Sequence, residues 1–146
     1  MSSRESAIPA IIHVSREAFR MYSSLSRRTN RPEASAEEEG ERVERKQRPF
    51  KDYEQAFFLA AALGIIDGSK MKIEGDKEQL LRTEFLKNDD NYKPMRQLIR
   101  SKYDVKDDRE VLELMTEFAE HGIRELHATY QKTNSIDFFQ IAERVE

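Results

Sequence analysis

The sequence predicts a mainly α-helical fold, a compact bundle of about five or six helices with at most a minor short β pair. Apolar residues recur at intervals of three and four along most of the chain. Ser, Asp and Asn stand before several of these periodic runs, where helices need N-caps. One alanine-rich segment is apolar on every side, as expected for a helix at the centre of such a bundle.

Composition excludes several classes of protein. The 146 residues have the length of one ordinary domain, and the absence of cysteine excludes disulfides, thiolate zinc sites and thiol catalysis. The apolar run at residues 7–12 is too short for a signal-peptide core or a membrane span. We therefore expect a cytoplasmic protein without membrane contact. The net charge of -3 gives no bulk attraction to nucleic acid.

The N-terminal part is predicted to be a strand followed by a helix. Residues 11–14 form a β-branched run typical of a short strand, and Ser15 is a suitable N-cap for a helix that begins at Arg16. One side of this helix carries Ala18, Phe19, Tyr22 and Leu25. We expect residues 1–9 to be a flexible N-terminus and residues 10–26 to pack on the core.

Residues 27–48 are predicted to form a charged flexible linker. They carry Arg27, Arg28 and Arg31 and then a run of glutamates, with Val43 as the only large apolar side chain. A segment that buries so little apolar surface cannot offset the conformational entropy lost on ordering. The helical core domain is therefore expected at residues 49–146.

Residues 50–64 are predicted to form the central helix. Their second half is apolar on all sides, and its alanines permit close approach of neighbouring helices. Gly64 is expected to supply the left-handed C-cap of this helix, and a turn is expected at residues 65–68. Residues 70–73 alternate like a short edge strand or an extended segment.

Two further helices are predicted from local signals. Asp76 with Gln79 forms a capping box, which is expected to open a helix over residues 77–86. The inward side chains of that helix would be Leu80, Leu81 and Phe85. Asn91 is expected to open a second helix over residues 92–102.

The longest helix is predicted to begin after Asp107, which forms a second capping box with Glu110. Gly122 is expected to end or kink this helix. A final helix is predicted to begin at Ser135. The expected core face of the longest helix consists of Val111, Leu114, Met115, Phe118 and Ala119.

The sequence carries no recognisable catalytic or metal site. Glu117 and His121 stand one helical turn apart, but a metal site needs one or two further ligands, so we expect no metal and no cofactor. No nucleophile motif, phosphate-binding glycine loop or dinucleotide fingerprint is present, so we expect no enzyme. A metal-dependent hydrolase or nuclease would require Glu117 and His121 to meet other carboxylates in space.

A stripe of basic residues is the main candidate site. Lys93, Arg96 and Arg100 recur at intervals of three and four and so share one face of the predicted helix, with Lys87 at its margin. Arg28 would add a cation from the linker. Such a stripe can neutralise DNA or RNA phosphates. The ordinary solvated face of an amphipathic helix is the alternative interpretation.

Four segments together resemble a known family. These are the strand and helix at residues 11–25, residues 49–52 with the helix end at residues 58–64, and the second helix end at residues 117–123, followed by Leu126. Their order is similar to that in the small accessory proteins called dnd system-associated, which accompany DNA phosphorothioation and related restriction genes in prokaryotes. The resemblance covers most of residues 10–130. It implies a defence-island or DNA-modification context and no catalytic residues.

The sequence departs from the family pattern in two places. The charged insertion at residues 32–48 is longer, and the segment after Thr133 has no counterpart. The expected function is a non-catalytic accessory protein of a prokaryotic DNA-modification or restriction (antiviral defence) system that binds DNA phosphates, a larger protein subunit, or both. The alternative is an assembly module that forms a homo-oligomer and binds no nucleic acid. Phe138 and Phe139 would then dock a partner or a second copy.

Overall fold

This computed structural model describes residues 8–27 and 48–133. They contain five α-helices and one two-stranded antiparallel sheet. This architecture confirms the predicted mainly α-helical fold with a minor β pair. No helix in the described part is long and apolar enough to cross a membrane. In chain order the elements are β1 (Ile11–Ser15), α1 (Arg16–Leu25), α2 (Tyr53–Asp67), β2 (Lys77–Arg82), α3 (Thr83–Lys87), α4 (Tyr92–Tyr103) and α5 (Asp108–Thr133).

The strand β1 and the helix α1 form as the local sequence predicts. The Ser15 hydroxyl accepts a hydrogen bond from the backbone N–H of Ala18 at 3.1 Å, which caps α1. The predicted apolar side of α1 is buried, and it consists of Ala18, Phe19, Tyr22 and Leu25. This buried side and β1 belong to the same hydrophobic core as the later helices.

The described ends of the charged segment at residues 27–48 lie side by side. The N–H of Phe50 donates to the carbonyl of Leu25 at 3.0 Å, and the N–H of Arg27 donates to the carbonyl of Phe50 at 2.8 Å. The Arg48 guanidinium donates to the carbonyl of Ser23 at 2.8 Å. The predictions for residues 28–47, for residues 1–7 and for the final helix at residues 135–146 lie outside the described residues.

The helix α2 lies at the centre of the core, as predicted. It ends later than expected, because its C-cap is Gly68 in the left-handed conformation, with φ 67°. The N–H of Gly68 donates to the carbonyl of Ile65 at 3.1 Å. The predicted cap at Gly64 is therefore wrong. The buried residues of α2 are Tyr53, Ala56, Phe57, Phe58, Ala60, Ala61, Leu63, Gly64 and Ile65.

Two glycines bring the backbones of α2 and α5 into contact. A Cβ on Gly64 would lie 2.2 Å from the carbonyl oxygen of Phe118, and a Cβ on Gly122 would lie 1.8 Å from the carbonyl oxygen of Ala60. No side chain fits at either position, so both glycines serve close packing. Because α5 continues unbroken over Asp108–Thr133, the helix end predicted at Gly122 is wrong.

Residues 77–82 form a strand, so the helix predicted over residues 77–86 is wrong for these six residues, and only residues 83–86 of it are helical, within α3. β2 pairs antiparallel with β1, with Ser15 opposite Lys77, and a register shift leaves Leu80 as an extra, fully buried residue. A strand needs a partner for its backbone hydrogen bonds, and this tertiary requirement outweighs the local capping box. Phe85 was expected to point inward, but it lies in α3 and is 53% exposed. Residues 70–73 form no strand.

The predicted starts of α4 and α5 are close to the observed ones, but the caps differ in detail. The Asn91 side chain makes no capping hydrogen bond to α4. Instead the Asp89 carboxylate accepts from the N–H of Asn91 at 2.8 Å. At the start of α5 the Asp107 carboxylate accepts from the N–H of Arg109 at 3.0 Å. Acidic groups thus precede both helices, where the helix dipole favours them.

Candidate functional site

The three predicted phosphate-binding residues of α4 differ in their surroundings. Arg96 is half-buried, and its Nε donates to Asp108 Oδ1 at 2.7 Å. This hydrogen bond raises the pKa of the Arg96 guanidinium. Lys93 is exposed and Arg100 is half-buried on the same flank of the helix. Arg96 therefore ties α4 to the start of α5, and Lys93 and Arg100 carry the outward charge.

Lys93, Arg100 and Lys87 form no ion pair with any carboxylate in the described part of the chain. Lys87 lies exposed at the end of α3, just before α4 in the chain. Several other described cations do form ion pairs, among them Arg16, Lys70, Arg82, Arg109 and Arg124. We call Lys87, Lys93 and Arg100 the basic face. Arg28, the fifth predicted contact, lies outside the described residues, as do Phe138 and Phe139.

The opposite flank of α4 lines a groove that it shares with α2. The groove has a volume of about 760 Å³. Leu98 is its most exposed large apolar residue, with 47% of its surface accessible. We call this feature the α2–α4 groove. Its apolar lining consists of Phe58, Leu59 and Ala62 from α2 and Pro94, Met95 and Leu98 from α4.

A carboxyl pair lies at the edge of the α2–α4 groove. Burial, the hydrogen bond with Asp89 and the charge of Asp89 together raise the pKa of Glu54 to about 7. The same hydrogen bond lowers the pKa of Asp89. Glu54 is therefore the proton-bearing partner near neutral pH, and Asp89 is the carboxylate that accepts from it.

A second cleft lies between β1, residues 72–73 and the first half of α5. It has a volume of about 680 Å³, and its lining combines apolar side chains with several ionisable ones, including His13, Lys72 and Lys77. Its acidic residues already have partners, because Glu113 lies 3.6 Å from Arg109 and Glu117 lies 3.7 Å from Lys70.

The one hydroxyl group in the described lining of this cleft is also engaged. It belongs to Thr116, which donates to the carbonyl of Leu112 at 2.7 Å. A serine or threonine nucleophile needs a nearby general base to activate it. The cleft has a volume and charged side chains that suit ligand binding. The Thr116 hydroxyl is hydrogen-bonded to the backbone of α5 instead of to a general base.

Sequence reasoning missed a buried polar network that joins the N-terminal part to α5. Glu120 is 2% exposed, accepts from the Ser15 hydroxyl, and accepts from Arg124 Nη2 at 2.9 Å. Arg124 Nη1 also donates to Glu17 in α1 at 2.8 Å, and this contact lowers the pKa of Glu17. Burial and the charge of Glu120 raise the pKa of Tyr22 well above its usual range. The role of this network is structural, because its contacts join the N-terminal part to α5.

His121 meets two carboxylates that the sequence interpretation did not pair with it. His121 Nε2 lies 3.2 Å from Asp67 Oδ2 at the end of α2 and 3.6 Å from Glu125 Oε2 one turn further along α5. The predicted companion, Glu117, faces Lys70 instead. The spacing of His121 and Glu125 was visible in the sequence, but the approach of Asp67 depends on the packing of α2 against α5. Burial lowers the pKa of His127, another histidine of α5.

The comparisons with known proteins gave no relatives. No family model matches this chain, no curated protein matches its sequence, and no solved structure matches its fold.

Proposed function

We propose that this chain is a non-catalytic accessory protein that binds DNA phosphates through the basic face, with Lys93 and Arg100 as its central contacts. One observation supports the proposal: Lys93 and Arg100 lie on one flank of α4 without acidic partners among the described residues, whereas Arg96 on the same flank is neutralised by Asp108. The setting, a prokaryotic DNA-modification or restriction system, rests on the sequence resemblance alone.

The spacing of the basic face suits a phosphate backbone. Lys93 and Arg100 are seven residues apart on one helix, so about 10 Å separates them along the axis. This distance corresponds to the axial rise of about three base-pair steps of a DNA duplex. Long basic side chains on one flank can therefore reach different phosphates of the same strand. Such contacts position a protein on DNA without reading base sequence.

The proposal is tested by fluorescence anisotropy with a labelled DNA duplex at low salt. The test variant is K93A/R100A. The matched control is R82A/K132A, which removes one arginine and one lysine from exposed positions in β2 and at the end of α5. Both variants have the same net charge, so a difference between them reports position rather than charge.

We expect the wild-type chain and the control to bind the duplex and the test variant to bind at least about tenfold more weakly, a loss typical of removing two phosphate contacts. The proposal is wrong if the wild-type chain does not bind at low salt. It is also wrong if the two double variants bind equally well.

The α2–α4 groove supports a second candidate function, a protein-interaction or assembly module. Leu98 is about half exposed in the α2–α4 groove, and the Glu54–Asp89 pair at the edge of the groove offers a polar contact. A partner would place an apolar side chain in the groove, and the basic face would remain in solvent.

Sedimentation equilibrium tests whether that partner is a second copy. If the groove assembles the chain, the wild type sediments as a homodimer and L98D as a monomer. M71D, a change at another exposed apolar residue, should remain dimeric. A monomeric wild type removes self-assembly through this groove.

A further inference from the structure

We propose that Asp67, His121 and Glu125 form a binding site for a divalent transition-metal ion of the Zn²⁺ class. The three side chains offer one imidazole nitrogen and two carboxylate oxygens, and these three atoms all lie within 4.8 Å of one another. This site is independent of the basic face and of the α2–α4 groove.

The distances fit a tetrahedral ion. Zinc binds nitrogen and oxygen ligands at about 2.0–2.2 Å, so neighbouring ligands of a tetrahedral site lie roughly 3.3–3.6 Å apart. His121 Nε2 lies 3.2 Å from Asp67 Oδ2 and 3.6 Å from Glu125 Oε2. These two distances are close to the edges of such a tetrahedron, and the third, between the two carboxylates, is within 4.8 Å. A small adjustment of the carboxylate side chains closes the site.

The backbone beneath the site is held in place. His121 and Glu125 lie one turn apart on α5, and Asp67 is the last residue of α2. The same two helices are in backbone contact at Gly64 and Gly122, the latter next to His121. Ligands carried by rigid, closely packed helices lose little freedom on binding an ion.

The chemistry of the three donors favours a transition metal over Mg²⁺ or Ca²⁺. Calcium and magnesium prefer six or more oxygen ligands, whereas an imidazole nitrogen suits transition-metal ions such as Zn²⁺, Cu²⁺ and Ni²⁺. Two carboxylates balance the charge of a divalent ion. The three side chains are 20% to 32% exposed, so water has access to the remaining coordination position.

Isothermal titration calorimetry of the full chain with ZnCl₂, after treatment with a chelator, tests the site. The variants are H121A and E125Q, and the matched control is E113Q, which changes another glutamate of α5 that pairs with Arg109. Circular dichroism checks that each variant is folded. ¹⁵N-edited NMR of the histidine rings reports which imidazole coordinates the ion.

We expect the wild-type chain to bind one Zn²⁺ and H121A to bind none. E125Q loses one ligand of three, so it should bind Zn²⁺ at least about tenfold more weakly, whereas E113Q should bind it as the wild type does. Bound Zn²⁺ should also raise Tm in the wild type and not in H121A. The absence of stoichiometric binding refutes the site, as does binding that persists in H121A or shifts only the His13 or His127 resonances.

Discussion

Replacing Gly122 by alanine tests the closest contact in the core. Helix propensity alone favours the change by about 1 kcal/mol, because glycine is a poor residue inside a helix. The new Cβ, however, would lie 1.8 Å from the carbonyl oxygen of Ala60. An ordinary contact begins at 3.4 Å, so α2 and α5 must separate locally by about 1.6 Å. The clashing atom belongs to a backbone and cannot rotate away.

The magnitude follows from these opposing terms. Overpacking a dense core usually destabilises a protein by up to about 3 kcal/mol. The gain in helix propensity offsets about 1 kcal/mol of this loss. We therefore expect G122A to lower the free energy of unfolding by about 2 kcal/mol. For a chain of this size the corresponding fall in Tm is about 6 °C.

Urea denaturation followed by circular dichroism measures this loss. A128G, at an exposed position of the same helix, isolates the propensity term and should cost about 1 kcal/mol. If G122A is as stable as the wild type, or more stable, the backbone contact between α2 and α5 does not exist as described.

Three further predictions concern the polar groups. E120A should lower the free energy of unfolding by about 3 kcal/mol, because it removes the buried partner of Ser15 and Arg124. S15A should lower the free energy of unfolding by about 1 kcal/mol, because α1 loses its N-cap. Equal stabilities of the wild type, E120A and S15A in urea would contradict both predictions. Folded Glu54 keeps its proton up to about pH 7, whereas an unfolded glutamate releases it near 4.5, so stability should fall as pH rises through this window. E54Q should lack that fall in Tm, and superimposable pH profiles would rule out the raised pKa.

Local signals were sufficient for part of the fold. The β-branched run before Ser15, the cap itself and the apolar side of α1 are short-range patterns, and each appears in the structure as predicted. The burial of α2 also followed from its composition, since an alanine-rich helix that is apolar on every side has no stable place except a core.

The wrong predictions share one physical cause, because each depended on a contact distant in the chain. The local pattern of Asp76 and Gln79 predicts the start of a helix, but the segment that follows forms β2 because it pairs with β1. Gly64 and Gly122 were predicted to end helices because glycine is common there, whereas each one allows close packing against the opposite helix. The same holds for the candidate sites: the stripe on α4 was visible in sequence, but the neutralisation of Arg96 by Asp108 was not.

The dependence of DNA affinity on salt tests the proposed function most directly. Each phosphate contact contributes about 0.9 to the slope of log affinity against log salt concentration. If Lys93 and Arg100 each contact a phosphate, the slope for K93A/R100A should be smaller than that for R82A/K132A by about 1.8. Parallel lines for the two variants would contradict phosphate binding by this face of α4.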